Sequence, residues 1–172
     1  VLPFSTGVIG ELLPIDAIKN NANLLVSSLS KGGLRSVAKG ILTTDLVEKS
    51  YSTSFRVGEN TVTLSGIAKG SGMIRPDMAT MLSFIVSDIN ASSEELQDCL
   101  TIAVNQSFNR ITVDGDTSTN DACTLSATNK SRVHLKDCKN EFQLALNELT
   151  KELAIMIVRD GEGATKFVEV KV

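Results

Sequence analysis

Apolar residues fall at helical spacing in four stretches of the chain and alternate or cluster as strands between them. Ile15, Ile18, Ala22, Leu25 and Leu29 share one helical face. Pro14 suits the first turn of that helix, and Gly32-Gly33 ends it. A short second helix is predicted over Leu34 to Ala38, with Gly40 as the break. Ser92 and Glu95 form a capping-box pair. The helix they open runs to about Phe108, with Leu96, Leu100, Ala103 and Val104 on one face. Phe142, Leu146, Leu149, Leu153 and Met156 mark a last long helix, capped by Asn140 and closed by Gly161. Strands are predicted over Leu2 to Ile9, Ile41 to Asp45, Thr80 to Ser87, Ile111 to Val113, Ala122 to Thr128 and Ala164 to Val172. Ser50 to Val57 and Thr61 to Ile67 read as a hairpin around Gly58-Glu59-Asn60. Helices in pairs between groups of strands predict an α/β (α+β) protein, a layered αββα sandwich, in one compact domain over residues 1–172.

Composition narrows the partners. A net charge of −3 leaves no basic stripe to neutralise phosphates, so nucleic acid is not expected. Aromatic residues are 4% with no Trp, which leaves little for base stacking. Cys99, Cys123 and Cys138 are scattered and read as reduced thiols of an intracellular protein. No apolar run approaches the roughly 20 residues of a membrane span. The start, Val1-Leu2-Pro3-Phe4, lacks a basic region and an initiator Met, and predicts an internal piece of a longer protein without a signal peptide.

The candidate chemistry centres on Met78-Ala79-Thr80-Met81-Leu82. A small residue, a hydroxyl residue and an apolar strand in that order suit a self-cleaving precursor. Scission of Ala79–Thr80 would give Thr80 a free α-amine beside its hydroxyl, a known nucleophile-and-base pair. Such an amine has a reference pKa of about 7.7–8.0, near neutrality. Alone, the pair is a weak signal. His134 is the only histidine and reads as exposed and idle, between Arg132 and Lys136 in a polar stretch, so neither a Ser/His triad nor a His-rich metal site is expected. That favours the terminal amine as base.

Other segments stay ambiguous on spacing alone. Ser5-Thr6-Gly7 is an ordinary turn or an oxyanion site. Thr43-Thr44-Asp45 is an Asx-type strand end or a hydroxyl-lined wall. Gly66-Ile67-Ala68-Lys69-Gly70-Ser71-Gly72 fails both phosphate-loop patterns, yet Lys69 between glycines can hold a carboxylate as a point charge. Asp114 to Asp121 fails as a calcium loop, with Thr119 and Leu125 where Gly and Glu are needed. It reads instead as a structured loop near the site. Glu162, between glycines, is a solvated turn residue or a carboxylate for a cationic group.

In order, Ser5-Thr6-Gly7-Val8-Ile9-Gly10, Thr43-Thr44-Asp45, Gly66 to Ile74, Met78 to Leu82, Asp114 to Asp121 and Gly161 to Lys166 resemble the ornithine acetyltransferase family, also called glutamate N-acetyltransferase. The resemblance spans the chain and implies a fold of the autoprocessing N-terminal-threonine-nucleophile type. It implies self-cleavage at Ala79–Thr80, with residues 1–79 on the α-chain side and 80–172 on the β-chain side, held together in a higher homo-oligomer. It implies a ping-pong reaction in arginine biosynthesis. Thr80 takes the acetyl group of N2-acetylornithine as an acetyl-threonine and passes it to glutamate. Acetyl-CoA serves some members as donor; no cofactor or metal is implied. Carried over, Thr6 and Gly7 match the oxyanion hole, and Thr43, Lys69, Thr80 and Glu162 match substrate-binding positions. Lys69 suits the α-carboxylate of both substrates and Glu162 the distal ammonium of ornithine. The implied compartment is the cytoplasm, or the mitochondrial matrix for a fungal protein. Family members extend beyond both ends of this sequence. Two other readings stay open: an N-terminal-nucleophile aminopeptidase or amidase on a similar scaffold, and an inactive truncated piece.

Overall fold

A computed structural model describes residues 4–5, 10–30, 32–74, 81–118 and 120–171. The elements in chain order are α1 (Ile15–Ser27), α2 (Leu34–Gly40), β1 (Lys49–Val57), β2 (Asn60–Lys69), β3 (Leu82–Ser87), α3 (Ser93–Gln106), β4 (Ala122–Ala127) and α4 (Lys139–Arg159). Short 3₁₀ turns cover Phe108–Arg110 and Leu135–Asp137. The mixed α/β class expected from the sequence holds, with helices layered on a sheet.

The sheet has four strands in the order β1-β2-β3-β4. β1, β2 and β3 are antiparallel neighbours, and β4 joins β3 in parallel through the α3 crossover. Gly58 takes a φ of 59° in the tight β1–β2 turn, a conformation that suits glycine. Directly paired residues share a face. Gly66 pairs with Ile85, and Lys69 pairs with Leu82.

Period two divides β2 between two environments. Val62, Leu64 and Ala68 are buried in the main apolar cluster with Leu146, Leu149 and Leu153 of α4 and Leu96, Leu100 and Ala103 of α3. Gly66 completes that row because α4 lies so close. A Cβ there would stand 2.9 Å from Leu149 Cδ2 and 3.1 Å from Leu153 Cδ1. Ile67 and Lys69 take the alternate positions. They are also buried, but outside that cluster. On this opposite side Phe4 packs edge-on against Phe84, with ring centroids 5.3 Å apart. Lys69 and Ile67 pair with Leu82 and Phe84 of β3.

α3 begins as expected, with the Ser92 hydroxyl accepting from the Glu95 N–H and the Glu95 carboxylate accepting from the Ser92 N–H. It ends at Gln106, and a 3₁₀ turn carries the chain to Arg110. α4 starts two residues earlier than expected, with Cys138 at the cap position and Asn140 inside the helix. Ile15, Ile18, Ala22 and Leu25 are helical as predicted, but α1 ends at Ser27, before Leu29, and none of its residues is buried.

Three predicted strands differ. Residues 41–45 form a turn because the Asp45 carboxylate turns back to accept from the Thr43 N–H at 3.2 Å. Residues 111–113 add one backbone bond, Val113 N–H to Ile74 O at 2.9 Å, but no ladder. Residues 164–171 run without strand pairing. No neighbouring strand among the described residues offers them a ladder, and an isolated strand leaves its backbone groups unpaired. Leu2 to Ile9 lies mostly outside the described residues, and the strand predicted from Thr80 is described from Leu82.

Candidate functional site

Three turns converge at the end of β2. The first holds Thr43, Thr44 and Asp45. The second, residues 70–74, follows the strand. The third, residues 160–163, follows α4. Thr44 Oγ1 and Ser71 Oγ lie 2.7 Å apart, joining the first two. The Glu162 N–H donates to Ser71 O at 2.7 Å, joining the third. Gly72 leaves room for Glu162, since a Cβ at Gly72 would sit 2.7 Å from Glu162 Oε2.

Lys69 lies between these turns. It is 2% exposed, and its ammonium donates to Thr43 Oγ1 at 3.2 Å. Among the described residues it forms no ion pair. Burial pushes its pKa down, helped by the like charge of Lys49, against the attraction of Asp45 and Asp121. A buried ammonium without a bound carboxylate is a costly arrangement that an anionic ligand would relieve. Thr43 is exposed, so the Lys69–Thr43 pair can be reached from solvent.

Beneath it is a cluster that spacing had not revealed. Lys49 is fully buried and donates to Asp45 Oδ1 and Asp160 Oδ2, each at 2.6 Å. Asp45 also accepts from the Gly70 N–H at 2.7 Å. Asp160, at the end of α4, accepts from the Leu46 N–H at 3.0 Å. Burial pushes the Asp45 carboxyl up, but the donors Lys49, Gly70 and Thr43 together outweigh it and hold it below its ordinary range. The strand pattern did contain a signal. Extending the inward row Val57, Phe55, Thr53, Tyr51 by one step puts a lysine in a core position.

The acidic loop 114–121 is a scaffold of hydrogen bonds, as expected. Asp114 accepts from the Met73 and Ile74 N–H groups at 2.6 and 3.0 Å. Burial raises the Asp114 carboxyl, and these backbone donors with that of Asp116 pull it below its usual value. Asp121 Oδ1 accepts from the Met81 N–H at 2.7 Å. Burial raises its pKa, against the pull of Met81, Ser118 and Lys69. The loop thus fixes the chain on both sides of residues 75–80.

Of the predicted site residues, Thr43, Lys69 and Glu162 come together around the three turns. Thr6, Gly7, Ala79 and Thr80 lie outside the described residues. His134 is exposed and stands elsewhere, bridging to Asn90 with Nε2 3.4 Å from Asn90 Nδ2.

A family model for the ArgJ family matches residues 1–172. The chain belongs to the ArgJ family. It is 46% identical over 177 residues to the arginine biosynthesis bifunctional protein ArgJ of Pseudomonas fluorescens, covering 100% of this chain and 44% of that protein. It is 47% identical over 175 residues to the glutamate N-acetyltransferase of Methanocaldococcus jannaschii, again covering 100% and 44%. The crystal structure of the ArgJ protein of Bacillus halodurans matches at 44% identity and a TM-score of 0.48, over 51% of this chain and 43% of that one. The chain therefore spans less than half the length of the curated ArgJ relatives it matches.

Proposed function

We propose that this ArgJ-family chain forms part of an acetyltransferase that moves the acetyl group of N2-acetylornithine to glutamate. The observation that carries the reading is the Lys69 ammonium, 2% exposed and without an ion pair among the described residues, beside Thr43 and the turn of Glu162. Both substrates share an α-carboxylate that Lys69 would neutralise. Glu162 would pair with the distal ammonium of the ornithine part.

The nucleophile in this reading is Thr80, freed by scission of Ala79–Thr80. Its hydroxyl attacks the acetyl carbonyl, and its proton passes to the α-amine of the same residue. Thr6 and Gly7 would donate to the oxyanion, a contribution worth about 2.7–4 kcal/mol per donor in other acyl-transfer enzymes. The amide C–N bond breaks, the departing ornithine nitrogen takes up the proton, and an acetyl ester remains on Thr80. The glutamate amine then attacks the ester and releases the hydroxyl. No cofactor is required, and acetyl-CoA is an alternative donor. The 1–79 and 80–172 segments would stay associated within a homo-oligomer. No described helix is long and apolar enough to cross a membrane. A cytoplasmic enzyme acting on free amino acids suits the reaction.

Mass spectrometry of the full-length protein tests the reading. It should show two chains split at Ala79–Thr80 and a gain of one acetyl group on the Thr80 chain with N-acetylornithine, discharged by glutamate. An unbroken chain that takes up no acetyl group would rule it out. Acetate release without glutamate would point to a hydrolase.

A further inference from the structure

The strongest feature left over is the buried cluster of Asp45, Lys49 and Asp160. Its three side chains are 0%, 0% and 4% exposed, and both ion pairs are 2.6 Å long. Such a cluster is an expensive way to fill space. Replacing a buried ion pair with apolar residues of similar volume is often neutral or stabilising. Position therefore needs a better account than stability, and the contacts supply one.

Asp45 spans the two sides of the Lys69–Thr43 contact. One oxygen accepts from the Thr43 N–H at 3.2 Å, and the other accepts from Gly70, the residue after Lys69, at 2.7 Å. Lys49 links that carboxylate to Asp160. Asp160 stands two residues before Glu162 and also holds the Leu46 N–H. A continuous set of charge-assisted bonds thus runs from the Thr43–Lys69 pair to the turn of Glu162.

We propose that the Asp45–Lys49–Asp160 cluster is a positioning element that fixes the spacing between Lys69, which receives the α-carboxylate, and Glu162, which receives the distal ammonium. The role rests on the acetyltransferase reading. Asp45 governs the end common to both substrates. Asp160 governs the end that only the ornithine substrate uses.

Asp45→Asn and Asp160→Asn in the full-length enzyme separate these ends. Each variant nearly keeps shape and retains one acceptor oxygen. Asp45→Asn should raise KM about ten-fold for both N-acetylornithine and glutamate, with kcat changed far less, because the affected contact is made before and during reaction alike. Asp160→Asn should raise KM for N-acetylornithine about ten-fold and leave that for glutamate within about two-fold. A purely structural role gives a different result: a smaller folded fraction lowers apparent kcat and leaves both KM values in place. Unmoved KM values in soluble variants overturn the proposal. If Asp45→Asn does not fold, the ratio of the two KM values in Asp160→Asn decides alone, and an unchanged ratio overturns it. A wild-type enzyme without N-acetylornithine activity would instead remove the acetyltransferase reading, and that is seen before any variant is made.

Discussion

On one face of the sheet, Val62, Leu64, Gly66 and Ala68 of β2 meet α3 and α4. On the other, Ile67 and Lys69 of the same strand are buried apart from that cluster, and Lys69 reaches the turn at Thr43. The first face is apolar and close-packed, and its buried charges, Lys49 opposite Ala68 and Asp160 at the end of α4, stand at one end of it. The second ends in the Lys69 ammonium and the Thr43 hydroxyl. Alternation along one strand thus separates the part of the molecule built for packing from the part able to bind a ligand. The two faces should respond oppositely to mutation.

The largest effect is expected on the packing face. Leu149 is fully buried and touches the space over Gly66. Leu149→Ala should cost about 2–5 kcal/mol in urea unfolding, the usual range for truncating a core leucine. A loss under about 1 kcal/mol would show that α4 is not seated as described.

Lys69→Met sharpens the contrast. The charge removed is buried and unpaired among the described residues, so its loss should leave the thermal midpoint equal to or above that of the wild type. Acetyl transfer should fall about 100-fold, or about 2.7 kcal/mol at the transition state. A variant that melts early while transferring acetyl normally would make Lys69 a structural residue.

Asp45 lies between these extremes, since it is buried and polar yet fully partnered. Its folded pKa is depressed, so its stabilisation is complete above the unfolded value of about 3.9 and is lost as pH falls through the folded value. Asp45→Asn should be less stable than the wild type by about 1–3 kcal/mol at pH 7. Urea melts at pH 3 should show that gap narrowed. A gap of constant size would mean that the carboxylate charge contributes nothing.

The packing face could be read from periodicity because burial there follows a regular interval. Phe142, Leu146, Leu149 and Leu153 are all 0% exposed, as their spacing requires. The turns around the site were harder. Residues 41–45 have strand-like composition, but one carboxylate, Asp45, folds them into a turn by reaching Lys49 and Gly70. That bond crosses 25 residues to Gly70, and the link from Lys49 to Asp160 crosses 111. No local pattern encodes such distances. Thr43, Lys69 and Glu162 were found through motif order, whereas the cluster beneath them needed three dimensions. α1 shows the same limit. Its apolar spacing predicts a helix correctly, but spacing cannot say what covers the face, and Leu25 stays 62% exposed.

The smallest effect tests what holds the helical layer in place. α3 has a complete capping box, with Ser92 Oγ 3.2 Å from the Glu95 nitrogen. It also buries Leu96, Cys99, Leu100, Ala103 and Val104 against the sheet and α4. If packing dominates, removing the cap should loosen only the first turn. Ser92→Ala should then cost about 1 kcal/mol, the typical value for a lost serine cap and well below the cost of Leu149→Ala. Hydrogen exchange should accelerate at the first-turn amides of α3 and stay unchanged at Ala103 and Val104. Acceleration along the whole helix would mean that the cap, rather than the apolar face, keeps α3 on the sheet.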